Sequence, residues 1–454
     1  MLAKNPEKFQ EVLSPYFSSG LAHYITTNNN ATGIQLIPDS AQGIASILSW
    51  ANDAGIQLAM QANDLRFMKN SLWLNLSGIQ VVRKHMVDDF MITVEAGISI
   101  GKLEAVLAKE NQTWGLQYPS AMCLADILHL DCPALASGFK GLPRDSVLKV
   151  EVATPDGKLT ISGADVVKNA TGYDLAKLHC GAYGAFGVIT AVTLKVFPKP
   201  VDQHSFVYHC QSFDEVNGLT QTLVKQHLPF NALEIIRQPN INKTHKNNIK
   251  EQGPIKKTSW QVAVGLSSTI PLSDDILSGL PDSAIQGGQL EAQEKSDQKK
   301  SENILEAPIK RTYIKGPIAI DYDCLLKGVN ACQTVVGIYL PVSAWPNLLN
   351  ALNKLSILDT AYIAARPALG QVIVAADSLP YTTLQFLSKE ATQLDGFLKV
   401  IQVSESDRPI LLTSEKGLRQ FNSPQTPVIT ELLKNLKQAY DPKHCLFTPF
   451  LPLF

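Results

Sequence analysis

A chain of 454 residues is too long for one ordinary hydrophobic core, so its length predicts two or three domains. Its composition, 45% hydrophobic and 18% charged, is that of a globular protein, and its net charge of −1 gives no reason to expect nucleic acid as a partner. The sequence contains no run of about 18 uncharged apolar residues, so no transmembrane segment is predicted.

The N-terminus and the cysteines indicate the compartment. The N-terminal stretch, MLAKNPEKFQEVLSPYF, lacks the basic start, apolar core and small-residue cleavage site of a secretory signal, which predicts a cytoplasmic protein. Peripheral attachment to the inner membrane through a partner stays open. The cysteines are odd in number and form no C-x-x-C pair, which argues against a disulfide framework, a zinc ribbon or an iron-sulfur cluster. They are Cys123, Cys132, Cys180, Cys210, Cys324, Cys332 and Cys445.

Helix and strand patterns alternate at short intervals over the first half. Asp39 or Ser40 caps a helix that ends at Gly55. The Asp156-Gly157 pair suits the tight turn of a hairpin, because glycine accepts positive φ. In chain order the predicted elements are a helix over 38–54, strands over 57–60 and 90–97, a helix from 99, and strands over 147–154, 159–162 and 188–197. The prolines that follow predict a domain boundary near residue 200.

The second half repeats the alternation in two rough β-α-β units, which suit a helix-backed antiparallel sheet. Its predicted elements are a helix over 213–227, strands over 232–236, 261–266 and 335–340, a helix over 344–355, strands over 360–365 and 371–376, a further helix, and a strand over 398–403. Two polar stretches without periodicity, near 240–257 and 273–310, are predicted to be surface insertions. A docking arm for a partner is the alternative for the longer stretch.

The segment over 166–200, VVKNATGYDLAKLHCGAYGAFGVITAVTLKVFPKP, carries the most information. Gly181, Gly184 and Gly187 follow one another at three-residue spacing, which permits positive φ and lets a backbone lie flat against a planar ligand. The strand that follows offers amides from which a flavin or an adenine can accept hydrogen bonds. Taken alone, the glycine spacing is more typical of a helix end and a tight turn into an ordinary strand.

Together with the upstream KNATGYDL, this segment resembles the end of the flavin domain in the FAD-linked p-cresol methylhydroxylase family. Its G-A-Y-G form has Tyr183 where the large catalytic subunits of the family usually place Glu, and it is similar to the smaller flavin-type subunit of bacterial glycolate oxidase. The resemblance covers roughly residues 30 to 200 and, weakly, the final dozen. Among the matching segments are VEAG over 94–97, PRDSVLKVEVATPDGK over 143–158 and DPKHCLFTPFLP over 441–452.

The resemblance implies an α+β fold: a two-lobed FAD-binding domain over 1–200, a ferredoxin-like α+β cap domain over 201–440, and a tail over 441–454 that returns to the FAD domain. It also implies FAD, held non-covalently, as the cofactor. The residues at the matching cofactor-side positions are Gln61, Ala62, Asn63, Asp64, Leu124, Ala125, Asp126, Lys168, Asn169, Gly172, Tyr173, Asp174, Gly187, Val188 and Ile189. A buried structural tyrosine and ordinary helix caps remain the alternatives for Tyr173 and for Lys168, Asn169 and Asp174.

Two loops depart from the family pattern. The family wraps the pyrophosphate of FAD in a glycine-rich loop, because glycine lets backbone N–H groups converge on the anion, but residues 61–66 contain no glycine. The family's second phosphate-side element opens a helix with a Gly-Gly pair, and here Leu124 and Ala125 stand in that place. Asp64 and Asp126 add negative charge near an anionic cofactor. These departures make weak or lost FAD binding the alternative.

Three functions stay open. The resemblance implies an FAD-binding oxidoreductase subunit for small 2-hydroxy acids, which works beside a larger flavin subunit and an iron-sulfur subunit of a glycolate oxidase-like complex. The alternatives are an FAD-free structural or assembly subunit and a stand-alone hydroxy-acid dehydrogenase. No catalytic base is assigned, and His209, His227 and His245 fall at unrelated spacings that predict no metal site. Arg366 is either a substrate-side or flavin-side cation or, more typically, a surface arginine that ends a strand.

Overall fold

The alternating patterns fold into sheets and covering helices, as a computed structural model of the chain shows. The structure describes residues 22–26, 32–60, 71–131, 133–134, 137–167, 174–226, 228–238, 260–273, 276–277, 280–281, 310–315, 334–402 and 427–447. The chain divides into two units: Met1–Lys199 together with Pro424–Phe454, and Pro200–Ser423. The mixture of helix and sheet confirms the predicted α+β class.

The first unit begins with a mostly parallel sheet. Its strands are β1 (Ala22–Thr26), β2 (Thr32–Leu36), β3 (Leu58–Ala59), β4 (Ser71–Leu74) and, from the C-terminus, β20 (Leu446–Phe447), in the order β1-β2-β4-β3-β20. Only the β1–β2 pair of this sheet is antiparallel. Helix α1 (Ala41–Ala54) connects β2 to β3, and its capping confirms the prediction. The Ser40 hydroxyl accepts a hydrogen bond from the Gly43 amide, and Gly55 ends the helix in the left-handed conformation.

A second, antiparallel sheet builds the other lobe of this unit. Its strands are β5 (Val82–Met86), β6 (Met91–Glu95), β8 (Val147–Ala153), β9 (Leu159–Gly163) and β10 (Val188–Lys195), in the order β5-β6-β10-β8-β9, while β7 (Gln112–Thr113) pairs with β11 (Phe197–Pro198). The accompanying helices are α2 (Ile100–Ala108), α3 (Leu124–Leu130), α4 (Ser137–Lys140) and α5 (Ala176–His179). One apolar core serves both lobes, because it contains Leu48 of α1 as well as Val94 and Val150 of the antiparallel sheet.

The second unit is the helix-backed antiparallel sheet that the sequence predicts. Its strands are β12 (Asp202–Cys210), β13 (Phe230–Arg237), β14 (Trp260–Ser268), β15 (Lys310–Lys315), β16 (Thr334–Tyr339), β17 (Tyr362–Arg366), β18 (Gln371–Ala376) and β19 (Phe397–Gln402), in the order β15-β12-β14-β13-β17-β18-β16-β19. The helices are α6 (Phe213–Lys225), α7 (Trp345–Asn353) and α8 (Tyr381–Gln393), and their apolar faces share a core with the sheet. The predicted insertion near 240–257, and most of the one over 273–310, lie outside the described residues.

Helix α9 (Pro427–Tyr440) returns the chain to the first unit. This differs from the sequence-based cap range of 201–440, and the reason is the apolar stripe of the helix. Leu436 and Tyr440 pack against Ala182 and Phe186, just before β10. In the part of the chain that is described, no helix has both the length and the apolar character needed to cross a bilayer.

Candidate functional site

Residues 181–187, which we call the glycine turn, join α5 to β10 and contain the predicted glycine spacing. Four of them adopt positive φ: Gly181 (74°), Tyr183 (54°), Gly184 (77°) and Gly187 (136°). Helix α3 holds the turn, because the Gly181 amide donates to the Leu128 carbonyl and the Tyr183 amide to the His129 carbonyl, each at 2.9 Å. The turn is therefore a fixed, side-chain-poor stretch of backbone.

Close packing also requires two of these glycines. A Cβ at Gly184 would lie 2.7 Å from Cγ of Met60, and one at Gly187 would lie 2.5 Å from Cγ1 of Val152. At Gly181 an added Cβ would meet only the Cβ of Asp131, at 3.2 Å. The tight-turn interpretation thus explains Gly184 and Gly187 without a ligand, whereas the backbone at Gly181 is less enclosed on that side.

Two amides at the start of β10, that of Gly187 just before the strand and that of Ile189 within it, are engaged by the protein itself. The Gly187 amide donates to the Gly184 carbonyl at 3.2 Å, and the Ile189 amide donates to Nε2 of His129 at 3.2 Å. The side chains of Val188 and Ile189 are fully buried. Burial, and to a lesser extent the neighbouring His179, lowers the pKa of His129 to about 4. His129 is thus neutral near pH 7, with Nε2 free of a proton and able to accept this bond.

The start of α3 likewise presents no unused donor among the predicted residues. The Leu124 amide donates to the Ile98 carbonyl at 3.0 Å, and the Ala125 amide to the Ala96 carbonyl at 2.8 Å. Both side chains are buried in the core of the unit. The first amides of this short helix are therefore bonded to the adjoining chain. The family resemblance implied a phosphate-side element at this helix start.

Asp126 follows directly, in the first turn of α3, and its carboxylate has no hydrogen-bond or ion-pair partner among the described residues. Burial raises the pKa of Asp126 to about 6. The helix dipole acts in the opposite direction but contributes only about 0.3–1 kcal/mol, so desolvation prevails. The adjacent Cys123 thiol, its pKa raised to about 12 by burial and by Asp126, is inert as a nucleophile.

The other predicted cofactor-side residues contribute little that the structure describes. Asp174 lies at the surface before α5 and pairs with Lys177 at 3.5 Å, with both side chains about half exposed, so the pair is worth little. The remaining predicted positions lie outside the described residues: Gln61, Ala62, Asn63, Asp64, Lys168, Asn169, Gly172 and Tyr173. The predicted site as a whole stays a prediction.

Arg366 differs from the surface arginine that the sequence favours. Its side chain is buried at the end of β17, where Nε donates to both carboxylate oxygens of Glu234 at 3.1 and 3.3 Å, and Nη1 donates to Gln371 at 3.0 Å. Burial, only partly offset by Arg366, raises the pKa of Glu234 to about 7. His227 and His245 lie outside the described residues, within which no cluster of three or more potential metal ligands occurs.

Comparison with known proteins identifies a domain within the first unit. The family described as "FAD binding domain" matches residues 34–163, which span the two lobes of the first unit. The chain carries an FAD-binding domain of the p-cresol methylhydroxylase type. This match confirms the predicted family and supports FAD as the cofactor of the domain.

Curated relatives match parts of this chain. A D-lactate dehydrogenase of Anaerostipes hadrus is 23% identical over 201 residues, 43% of this chain and 42% of that protein. Glycolate oxidase subunit GlcE of Escherichia coli (strain K12) is 30% identical over 115 residues, 25% of this chain and 33% of that protein. Glycolate oxidase subunit GlcD of Bacillus subtilis (strain 168) is 25% identical over 175 residues, 36% of this chain and 37% of that protein. The matches thus span less than half the length of these relatives.

A solved structure extends the likeness of fold to nearly the whole chain. An alkyldihydroxyacetonephosphate synthase superposes with a TM-score of 0.58 at 11% sequence identity, covering 92% of this chain and 76% of that one. At this identity the likeness concerns the fold alone. It agrees with the predicted α+β fold class.

The described residues do not by themselves form an FAD site. In the glycine turn, Ala182 and Ala185 pack against α9, and Met60 and Val152 fill the space beside Gly184 and Gly187, so only Gly181 has a less enclosed side. The start of α3 does not suit the pyrophosphate, because the Leu124 and Ala125 amides are engaged and Asp126 adds a carboxylate. The donors for the pyrophosphate must therefore come from other residues.

Two residues that contact the glycine turn or the start of β10 were not predicted from the sequence. His129 accepts the hydrogen bond from the Ile189 amide, and Lys437 reaches the glycine turn from α9. A histidine on the apolar face of a short helix and a lysine inside an amphipathic helix are both common as packed or solvated residues. Neither pattern distinguishes such a role from the sequence alone.

Proposed function

We propose that this chain is an FAD-dependent oxidoreductase subunit that acts in the oxidation of small 2-hydroxy acids. The match of residues 34–163 to an FAD binding domain carries the proposal. The names of the relatives, D-lactate dehydrogenase and glycolate oxidase subunit, support the substrate class. In this proposal the first unit is the FAD-binding domain, the second is the cap, and the C-terminal tail belongs to the FAD-binding domain.

The residues would divide the work as follows. FAD, when bound, supplies the acceptor for the hydride that leaves the hydroxyl-bearing carbon. The glycine turn would lie against a planar ring of the cofactor, and neutral His129 keeps the start of β10 in place behind it. Arg366 does not supply the cation for the substrate carboxylate, because Glu234 already neutralises its charge in the described structure.

The partners follow from the same relatives. We propose that the chain works beside a larger flavin subunit and an iron-sulfur subunit, in the cytoplasm or attached to the inner membrane through them. The likeness to both GlcD and GlcE supports a glycolate oxidase-like complex. The engaged amides at α3 and β10, together with Asp126 and the glycine-free stretch over 61–66, favour the rival, an FAD-free structural subunit, which the comparisons do not favour.

The deciding experiment is the absorption spectrum of the purified chain, before and after incubation with FAD. A flavin band at about 450 nm, with FAD identified by mass spectrometry after denaturation, is the expected result. Purified folded protein that neither retains nor takes up FAD refutes the cofactor and leaves the structural subunit.

Substrate class and partners need a second assay. Oxidation of glycolate or D-lactate is measured with an artificial electron acceptor, using the lone chain and the chain co-purified with its partners. Activity in the complex supports a subunit role, and full turnover by the lone chain contradicts it. Stoichiometric FAD without turnover of either acid in any preparation contradicts the substrate class.

A further inference from the structure

Lys437 and Asp441 form an ion pair that is fully shielded from solvent. Nζ of Lys437 lies 2.6 Å from Oδ2 of Asp441, and both side chains are 0% exposed. The same Nζ donates to the carbonyls of Ala185 and Leu446, each at 3.0 Å. An ammonium group has three N–H donors, so these acceptors satisfy it completely. A buried charge of this kind is tolerated because it is both paired and hydrogen-bonded.

The Asp441 carboxylate is equally well satisfied, and it organises the C-terminal strand. Oδ1 accepts a hydrogen bond from the Cys445 amide at 2.8 Å, and Oδ2 accepts one from the Leu446 amide at 2.9 Å. The Cys445 carbonyl in turn accepts from the Leu58 amide at 2.7 Å, which places β20 beside β3. The ion pair thus connects α9 to β20 and, through it, to β3.

The third segment that Lys437 reaches is the glycine turn, through Ala185. Met60, directly after β3, packs against the same turn, because the space for a Cβ at Gly184 is filled by its side chain. The end of β3 leads into residues 61–64, which are predicted to lie on the phosphate side of FAD. The Lys437 ammonium group therefore links the glycine turn to the end of β3. The glycine turn leads into the predicted cofactor positions at the start of β10, and β3 leads into those over 61–64.

We propose that Lys437 is a positioning residue of the FAD site: through Ala185 and Leu446 it holds the glycine turn and the end of β3 in the arrangement that FAD binds. This inference rests on the proposed FAD function. Without the pair, FAD binding must itself order the two segments, and that entropic cost lowers affinity. A purely structural ion pair would raise stability and leave the affinity of the folded protein unchanged.

The test separates affinity from stability. FAD is titrated against Lys437→Met, followed by flavin fluorescence at a temperature at which thermal scans show the FAD-free protein folded. We expect the Kd to rise on the order of tenfold. The matched control is Arg237→Met in the second unit, which removes another buried cation, paired with Asp359 at 2.9 Å. It should lower the melting temperature and change the Kd by less than about twofold.

Folded Lys437→Met with a Kd within about twofold of the wild type overturns the positioning role while FAD binding stands. Should that variant not fold, hydrogen exchange on the wild-type protein decides. FAD should slow exchange at the Cys445 and Leu446 amides, which bond to Asp441, as well as at Gly181 and Tyr183. Unchanged exchange at Cys445 and Leu446 despite FAD binding overturns the role. A wild-type chain that binds no FAD overturns the proposed function first, and this inference with it.

Discussion

Replacing Asp126 by Asn should stabilise the protein at alkaline pH, since this carboxylate is partly buried and has no described partner to offset its desolvation. Its pKa rises from 3.8 to about 6 on folding, and at about 1.4 kcal/mol per pH unit the rise corresponds to about 3 kcal/mol. The sign follows from linkage: a carboxyl with a raised pKa favours folding while it is protonated, and this advantage is lost as pH rises from about 4 to about 6. Asn carries no charge at any pH, so the stability of the variant does not fall through this side chain as pH rises.

The assay is urea unfolding of the wild type and Asp126→Asn at about pH 4, 6 and 8. The variant's free energy of unfolding, measured relative to the wild type, should grow by about 2.5 kcal/mol from the lowest to the highest pH, because the unfolded carboxyl is already half ionised at about pH 4. Burying the uncharged Asn side chain costs the same free energy at every pH, so that cost cancels when the difference between variant and wild type is compared across pH. Asp174→Asn is the control: its carboxylate is exposed in a surface pair, so its profile should differ by at most about 0.5 kcal/mol. Parallel pH profiles for the wild type and Asp126→Asn would refute the reasoning.

Three further changes test other parts of the structure. His129→Gln keeps an acceptor for the Ile189 amide but removes a group whose pKa is lowered to about 4. In urea unfolding, the free energy of unfolding of the wild type should fall by up to about 3 kcal/mol through this group as pH falls from 6.5 to 4. The variant should not show this loss of stability. Gly184→Ala should lower the free energy of unfolding by on the order of 3 kcal/mol, because φ is 77° and the new Cβ would lie 2.7 Å from the Met60 side chain. Gly55→Ala, at φ 64° with open space around it, should lower it by only about 1 kcal/mol. Equal losses of stability would contradict the packing argument. Arg366→Met leaves Glu234 buried without its ion-pair partner, so it should lower the free energy of unfolding by about 3–5 kcal/mol at about pH 8. The loss of stability should be smaller at about pH 5.5, where Glu234 is protonated. A loss that does not depend on pH would contradict the role of the buried pair.

Features encoded by neighbouring residues were predictable from the sequence. Ser40 and Gly55 bound α1 because a cap needs only a side-chain oxygen at one end and a left-handed residue at the other. Gly157 takes φ 80° in the hairpin between β8 and β9, as the Asp-Gly pair predicts. The alternation of the second half likewise gave the helix-backed antiparallel sheet, since period and turn chemistry are local properties.

Features that join distant residues were not predictable. Arg366 is buried because Glu234, 132 positions away, accepts its hydrogen bonds, and nothing near Arg366 indicates that partner. His129 and Ile189 are 60 positions apart, and Lys437 and Ala185 are 252 apart. Each contact depends on how the elements pack, which the spacing of polar and apolar residues does not specify. The placement of α9 in the first unit depends on such packing too, whereas the sequence-based cap range of 201–440 stays a prediction.

The glycine turn shows how far such a motif supports a cofactor. Gly184 and Gly187 are required by packing against Met60 and Val152, so their presence alone does not distinguish a ligand wall from a tight turn. The match to an FAD binding domain ends at residue 163, before the turn begins. The case for FAD therefore rests on residues 34–163, independently of the turn that first suggested it. Because the described amides of α3 and of the start of β10 are engaged, the contacts that hold the pyrophosphate are the part of the site to seek by mutation outside these segments.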